Sequence, residues 1–586
     1  MIQGLHAKRG SQSHLGMVMV LTMVTTMACA PSTWAQIGPQ HVLVELNDKT
    51  WGETYGFDLA HPEEFLSERS LQRRDRQHIA VDSLDLPVSS EIIDALNNSK
   101  DWEVLHASRW MSSVVLLARD STADTSWLGD LPFVARVKSM PQMRSHMDPP
   151  KIDPPKDPVE VSKSLVPAST YGWGWTPLTQ LHAEPLHALG YQGQGMWIGV
   201  LDAGFQGIPD LEAFRTLRES DRLIVPEGAN VAHGGSSVFQ HSRHGASILG
   251  TMACLWPDSL IGTAPQATYL LYVTEDVTME RLLEEEHWIV AAEDADARGV
   301  DLLNTSLGYS VFDDTLSNHE VGELDGSTAR ISVASAIAAS RGMLVITSAG
   351  NNGDDPWHFI TFPADAHDIL AVGAVNASGE HAWFSGYGPS TDGRVKPEVM
   401  AHGAGTAYPR FDGRVGTGNG TSFASPILCG AAACLWQAHP EATASEVRNA
   451  IIKSSHLFNN PSPSMGHGIP DFWLAHQWLQ ASLSLDHDPA SSWVLFPNPV
   501  GPQGTLRWMA RGDLDVDSGP WHWKVTSALG QTLAQGTTQG WSLPRLAGHV
   551  DLSNLNLHQG TYVFSMEPLN QHDGSNHAWS GVFIVQ

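Results

Sequence analysis

Cysteine is scarce in this sequence, with four in 586 residues, and one of them, Cys29, falls in the first thirty positions. Cys254, Cys429 and Cys434 remain, an odd number at spacings unlike a metal site, which argues against a disulfide scaffold or a zinc module. Each lies in a small-residue apolar stretch and reads as a buried free thiol, with a Cys254–Cys429 bridge the alternative in an oxidising compartment. Positive charge is also short: Lys plus Arg number 34 against 63 Asp plus Glu, a formal net charge of −29. Such a surface repels phosphate backbones and anionic lipid, so nucleic acid is not an expected partner. It does not identify a substrate. No apolar run beyond the first thirty residues is long enough to span a bilayer. HExxH is missing, because His319-Glu320 is followed by Glu323 where the second histidine would stand. No internal repeat is present.

The N-terminus has what a secretory signal needs. Lys8 and Arg9 precede an apolar run from Leu15 to Ala28, followed by the small residues Ala28, Ala30 and Ala35. The run is roughly fourteen residues, short of the ~20 a membrane span requires. Residues 1–35 are therefore expected to be removed, and the mature protein to be secreted or held at the cell surface, without a transmembrane segment. With 42% hydrophobic residues the rest can fill several cores.

Composition divides the remainder. Residues 36–146 mix short alternating strands (41–46, 114–118, 133–137) with helix-like stretches such as 89–97, the pattern of a small α+β domain. Residues 147–170 hold the proline-dense run 148–158, which can join neither a helix nor a central strand and reads as an extended linker. From 171 to 482, continuous apolar runs (197–201, 269–273, 343–346, 369–372) alternate with helical patterns. That predicts a doubly wound α/β domain with a parallel sheet covered on both faces. Residues 490–586 lose helical periodicity, and strands such as 521–526 and 562–566 between Gly, Asn and Pro turns predict a β-sandwich.

Polar candidates gather at the edge of the α/β domain where strands end and helices begin. Asp202 closes the apolar strand 197–201 and could be half-buried facing the crevice, or a turn or capping aspartate. His244 opens a small-residue helix, and Gly245 beside it permits another backbone to approach. With 28 histidines in the chain, a single one is more often a surface or core residue. Ser422, in Gly420-Thr421-Ser422-Phe423-Ala424-Ser425-Pro426, leads into a helix whose free N–H groups could serve an oxyanion; a helix cap is the other reading. Asn351, after strand 343–346, is an oxyanion donor or the start of an Asn-Asn-Gly turn. Attack on a peptide bond needs this set: an activated oxygen, a base, an orienting group and oxyanion donors.

Taken together these segments resemble the subtilisin-like serine peptidases, or subtilases. Ile198 to Gly204 resembles their aspartate segment, His244-Gly245 to Thr251 their histidine segment, and Gly420 to Pro426 their serine segment, in the order Asp, His, Ser. Ser348 to Gly353 resembles the segment of the oxyanion asparagine, and Asn304 to Gly308 the edge strand that pairs with extended substrate. The resemblance, over about residues 175–480, implies a subtilisin-like fold and endopeptidase activity on proteins or peptides. The implied triad is Asp202, His244 and Ser422, with Asn351 at the oxyanion and Ser306, Leu307 and Gly308 on the substrate. By the same alignment Thr361 lies near the floor of the primary specificity pocket and implies a preference for modest apolar side chains. No cofactor is needed for the chemistry, and the resemblance allows a structural calcium ion whose ligands the sequence does not name.

The flanks carry resemblances too. Glu64 to Arg74 and Asp85 to Val88 resemble the N-terminal region of an extracellular subtilase group, often a propeptide. Val494 to Val500, Leu552 to Leu557 and Gly560 to Tyr562 resemble the sorting domain of type IX secretion cargo, which implies export through the periplasm and that machinery as a partner. The end, Val582 to Gln586, lacks the Lys or Arg often found there, so a stabilising or adhesive sandwich is the alternative. The chain also departs from the subtilase pattern, with Ala246 and Ser247 after His-Gly where Thr and His are usual, and Ala203 after the aspartate where Ser or Thr is usual. Two rival functions stand beside the peptidase. A catalytically dead subtilase used for binding would be expected to have lost a triad residue, and an α/β-hydrolase-type esterase would want G-x-S-x-G, where this chain has Ala424.

Overall fold

The computed structural model describes residues 41–120, 122–140, 170–235, 237–487, 493–498, 500, 504–511, 520–539, 545–553, 555, 557–568 and 579–585. The expected signal peptide (1–35) and nearly all of the proline linker (147–170) lie outside these residues. At the N-terminal end, β1 (His41–Leu46), β2 (Trp102–Ser108), β3 (Ser113–Ala118) and β4 (Val134–Met140) form an antiparallel sheet in the order β2-β3-β1-β4. Alternation puts Val42, Val44, Val114 and Leu116 in a core with Ile92, Leu96 and Trp102. Helix α1 (Glu68–Arg76) starts on Ser67, whose side chain accepts the Ser70 N–H, and α2 (Ser90–Asn97) starts on Ser89 in the same way through Glu91. This is the small α+β unit the sequence predicts, with α1 and β2 added to the elements expected.

The central domain is built on seven strands: β5 (Trp197–Asp202), β6 (Leu223–Ile224), β7 (Thr268–Val273), β8 (Leu302–Thr305), β9 (Leu344–Ser348), β10 (Leu370–Val375) and β11 (Val399–His402). Their order is β11-β10-β9-β8-β5-β7-β6, and every pairing is parallel. The four expected apolar runs supply β5, β7, β9 and β10, because helices cover both faces and leave no side of the sheet to water, while β6, β8 and β11 were not among them. Strands β7 to β11 are buried at every position. Each fully buried Val, Leu or Ile contributes about 1.5–3 kcal/mol, the dominant favourable term here. From β5 the chain goes to β6 and β7 on one side and returns to β8 on the other. The topological switch is therefore at β5, where a crevice opens at the carboxyl ends of the strands.

Four helices position the site and its supports: α3 (His244–Ala253), α4 (Leu283–Arg298), α5 (Arg330–Ser340) and α6 (Thr421–Ala438). Helix α6 is buried from Thr421 to Trp436, and Pro426, its sixth residue, withholds an N–H from the Ser422 carbonyl, which accepts the Ser306 hydroxyl instead. The next helix, α7 (Ala444–Lys453), opens with a capping box between Thr443 and Glu446, and α8 (Phe472–His487) runs past the expected boundary at 482. C-terminal to it, a three-stranded and a four-stranded antiparallel sheet share one core that includes Leu506, Trp508, Val525, Phe564 and Phe583. That is a β-sandwich, as predicted. Cys254, Cys429 and Cys434 are free and buried, and burial pushes the Cys254 thiol up to about 12. Among the described residues no helix is long and apolar enough to cross a membrane.

Candidate active site

Asp202 is the last residue of β5 and is fully buried, deeper than the half-buried position its strand-end location suggested. Its Oδ1 accepts the Ala203 N–H at 2.7 Å and faces Nδ1 of His244 at 2.8 Å. His244 begins α3, where Ser242 Oγ accepts its backbone N–H at 3.1 Å. A Cβ on Gly245 would stand 2.7 Å from the Gly204 carbonyl, so the glycine is what lets the histidine helix close onto the turn after Asp202. Burial draws the His244 pKa down, and the Asp202 charge and hydrogen bond outweigh it, leaving the imidazole above its ordinary value. Because Nδ1 faces the carboxylate, Nε2 is left to act as a base. Asp202 Oδ2 is buried and has no partner among the described residues, at the place where Ala203 stands instead of a hydroxyl residue.

Ser422 is the second residue of α6, so the positive end of a long helix lies at its hydroxyl. The hydroxyl makes no hydrogen bond among the described residues. Catalytic hydrogen bonds are often long before substrate binds. Gly420, the cap before α6, is needed here because a Cβ would fall 2.7 Å from Ser422 Oγ and 3.7 Å from Asn351 Nδ2. Ser422 Oγ and the Asn351 amide therefore flank one glycine. Asn351 Oδ1 accepts the Thr421 N–H at 2.8 Å and the Thr421 hydroxyl at 3.0 Å, which leaves Nδ2 as a donor with no acceptor among the described residues.

The sequence reading did not assign the network beneath Ser422. Ser306 Oγ donates to the Ser422 carbonyl at 2.9 Å and lies 3.1 Å from Ser425 Oγ, while Asn304 spans both hydroxyls at 3.1 and 3.3 Å. Asn304 and Ser425 thus hold the first turn of α6 against β8. Both stand inside the segments already singled out, but nothing local in those segments marks the contact between them.

The strand that precedes Ser306, Leu307 and Gly308 is not the expected edge strand: β8 ends at Thr305 and is paired on both sides, with β9 and β5, so these three residues lie in the segment after its carboxyl end, where Ser348 Oγ donates to the Leu307 carbonyl at 3.2 Å. Thr361 lies across from them. Its Oγ1 is 2.2 Å from where a Gly308 Cβ would be and 2.7 Å from a Gly350 Cβ, and it is buried without a partner among the described residues. Thr361 therefore occupies space that these two glycines leave open. Of the carboxylates able to hold a cation, Glu275, Glu280 and Glu284 lie together one strand away from Asp202.

With this geometry in view, comparison with known proteins is informative. A family model described as "Subtilase family" matches residues 193–468, and one described as "Peptidase S8 propeptide domain, Bacteroidota" matches residues 41–153. Subtilisin NAT of Bacillus subtilis subsp. natto is 31% identical over 48% of this chain and 66% of its own length. The subtilisin of Bacillus pumilus is 30% identical over 51% of this chain and 98% of its own. A protease structure from Pseudoalteromonas arctica is 22% identical, covering 52% of this chain and 96% of that one, with a TM-score of 0.40. The match to nearly the whole of a 30% identical subtilisin, with the family model over the same region, establishes that this chain belongs to the subtilase family of serine peptidases.

Proposed function

We propose that the chain is an exported endopeptidase that hydrolyses peptide bonds through Asp202, His244 and Ser422. His244 Nε2 takes the Ser422 proton as Oγ attacks the scissile carbonyl. The Ser422 N–H and Asn351 Nδ2 then donate to the tetrahedral oxyanion, while Asp202 orients and stabilises the imidazolium. His244 returns the proton to the leaving amine, and water repeats the sequence on the acyl-enzyme. The observation that carries the reading is the 2.8 Å Asp202–His244 pair, and it is supported by a serine at the head of a buried helix with the Asn351 amide beside it.

Extended substrate would pair along Ser306, Leu307 and Gly308 by strand addition. Thr361 would shorten the primary pocket and favour modest apolar side chains, its buried Oγ1 facing the space between Gly308 and Gly350. Residues 36–146 would act as a propeptide. The C-terminal sandwich would be a type IX sorting domain, a role supported by its sequence resemblance alone.

The test is a fluorophosphonate probe on mature protein and its Ser422→Ala variant, with casein and a peptide library as substrates. Labelling and cleavage that both vanish in the variant, with modest apolar residues preferred at the cleaved position, are the expected result. Cleavage favouring large aromatic residues would remove the assigned role of Thr361. Folded, processed protein that neither labels nor cleaves would favour the binding-protein alternative.

A further inference from the structure

Residues 404–419, between β11 and α6, form a two-stranded antiparallel hairpin of β12 (Ala404–Pro409) and β13 (Val415–Asn419). At its open end the Gly405 N–H donates to Asn419 Oδ1 at 2.8 Å, and the Gly420 N–H donates to the Gly403 carbonyl at 2.9 Å. The hairpin thus runs directly into the cap of α6 and Ser422. Its tip is closed as well. The Arg410 N–H donates to the Arg414 carbonyl at 2.8 Å, and the Asp412 carboxylate pairs with Arg410 at 3.2 Å and Arg414 at 2.8 Å.

This hairpin touches the surroundings of every triad residue. Tyr408 stacks on Phe423, the residue after Ser422, with ring centres 5.6 Å apart. Pro409 lies on Gly250 of α3, where a Cβ would fall 2.6 Å from the proline Cγ. Phe411, at the tip, reaches two places at once. A Cβ on Gly207 would overlap its ring, 2.6 Å from Cδ1 and 2.7 Å from Cζ, so the ring is seated on the bare backbone of the turn that follows Asp202. The guanidinium of Arg243, the cap residue immediately before His244, stands over the same ring at 4.1 Å from its centre. Arg243 Nε also donates to Gln206 Oε1 at 3.2 Å, and the Gln206 N–H donates to the Ser242 carbonyl at 2.9 Å. Those bonds join the Asp202 turn to the start of α3.

The triad itself is linked on one side only. Asp202 and His244 are bonded directly, whereas among the described residues no hydrogen bond joins residues 242–245 to residues 420–423. The approach of His244 Nε2 to Ser422 Oγ is therefore set by how their elements pack, and a misplacement of about 1 Å can cost roughly a hundredfold in rate. We propose that Phe411 is a positioning residue for catalysis. Seated on Gly207 and under Arg243, it makes the hairpin a strut that holds the Asp202 turn and the start of α3 against Ser422. The proposal rests on the assignment of Asp202, His244 and Ser422 as the triad. The residues placed on substrate, Ser306 to Gly308 and Thr361, belong to the segments after β8 and β9. Loss of the strut should thus slow the chemical step and leave substrate binding in place.

Steady-state hydrolysis of a peptide nitroanilide is compared among the processed wild type, Phe411→Ala, Phe411→Tyr, Arg243→Gln and the Phe411→Ala/Arg243→Gln double variant, well below the Tm of each. In Phe411→Ala kcat should fall about tenfold, with KM within about twofold of the wild type and fluorophosphonate labelling slowed in parallel. Phe411→Tyr keeps the ring face and should restore most of the rate. Arg243→Gln should lower kcat about threefold by removing the cation from the ring. It should add nothing once the ring is gone, because both act through one contact. A Phe411→Ala protein with a lower Tm and an unchanged kcat would overturn the proposal and leave Phe411 as packing alone. A rise in KM that accounts for the whole loss would overturn it too, placing the tip on the substrate. If Phe411→Ala does not fold, Arg243→Gln decides, since that side chain is exposed, and an unchanged kcat refutes the strut. Wild-type protein that neither labels nor cleaves would bring down the triad assignment itself, whereas an active wild type with an indifferent tip refutes this proposal alone.

Discussion

Residues 41–140 meet the central domain through buried charge, whereas the C-terminal sandwich meets it through a small apolar patch. On the N-terminal side Arg73 and Arg74 of α1 are at most 1% exposed, and both pair with Asp296 of α4. Arg109 reaches the same carboxylate at 2.8 Å, Arg74 also holds Asp85, and Arg341 of the central domain holds Asp82 and Asp85 at 3.0 and 3.3 Å. Glu293, one turn before Asp296, accepts Ser108 Oγ and the Arg109 and Trp110 N–H groups at 2.5–3.0 Å. On the C-terminal side Ala481 meets Phe496 and Met509, with Trp478 of α8 edge-on to Phe496 at 5.4 Å. Buried charges are stable only with their own partners in place, so they fix one docking geometry. An apolar patch accepts many. The N-terminal unit is therefore complementary to this one surface, and the sandwich, with its own core, is a module attached to it.

The sharpest way to break the contrast is Asp296→Ala, which takes the paired carboxylate from Arg73 and Arg109 and leaves Arg74 with Asp85 alone. Removing one partner of a buried ionic cluster costs about 3–5 kcal/mol. In a Ser422→Ala background the free energy for release of residues 41–140, taken from the urea midpoint and slope, should fall by that amount, with the sandwich transition unchanged. An unchanged release midpoint would mean that the apolar contacts at Leu43, Val115, Met140 and Leu283 carry the interface instead.

Acid should separate the two interfaces next. His41 of β1, His106 of β2 and His287 of α4 gather at the N-terminal seam, the rings of His106 and His287 edge-on at 5.1 Å. Burial, reinforced by Arg281 for His41 and by His41 for His106, lowers each of these two to about 4. Burial and then His106 hold His287 well below its ordinary value. Folded pKa values below the unfolded ~6.5 mean that the released state takes up protons first. The stability these histidines contribute is full above about pH 6.5 and is lost as pH falls toward 4. The release midpoint of residues 41–140 should decline over that window, and His106→Gln should flatten the slope by about one proton. A slope unaffected by that substitution would place the proton uptake elsewhere.

The difference between the interfaces also explains what could be read in advance. Four of the seven parallel strands were legible because burial on both faces leaves uninterrupted apolar runs, and their ends were missed by up to three residues. Asp202, His244, Asn351 and Ser422 were legible because each stands at a strand or helix end in a short local pattern, although the Asp202–His244 bond spans 42 positions. Arg73 and Arg74 look like ordinary surface charges, and only Asp296, 222 positions from Arg74, makes them interior residues. Glu284 likewise sits in an acidic run that reads as a solvated helix start, yet Glu284, Glu285 and Glu286 are all buried. Local patterns report apolar burial. They cannot report a buried charge whose partner lies far along the chain.

Removing residues 488–586 from the Ser422→Ala protein is the mildest change and the control for the first two. The cut falls after α8 and would uncover Trp478 and Ala481, and it takes Arg507 from Asp471, whose side chain is 40% exposed and stays in water. Exposing a patch of this kind costs about 25 cal/mol per Å², and the side chains on α8 can settle against the helix once the sandwich is gone. The thermal midpoint of the central domain should therefore move by no more than ~2 °C, and release of residues 41–140 should keep its urea midpoint. A fall as large as that of Asp296→Ala would mean that the sandwich stabilises the central domain as an integral layer, and the contrast between a fixed partner and an attached module would fail.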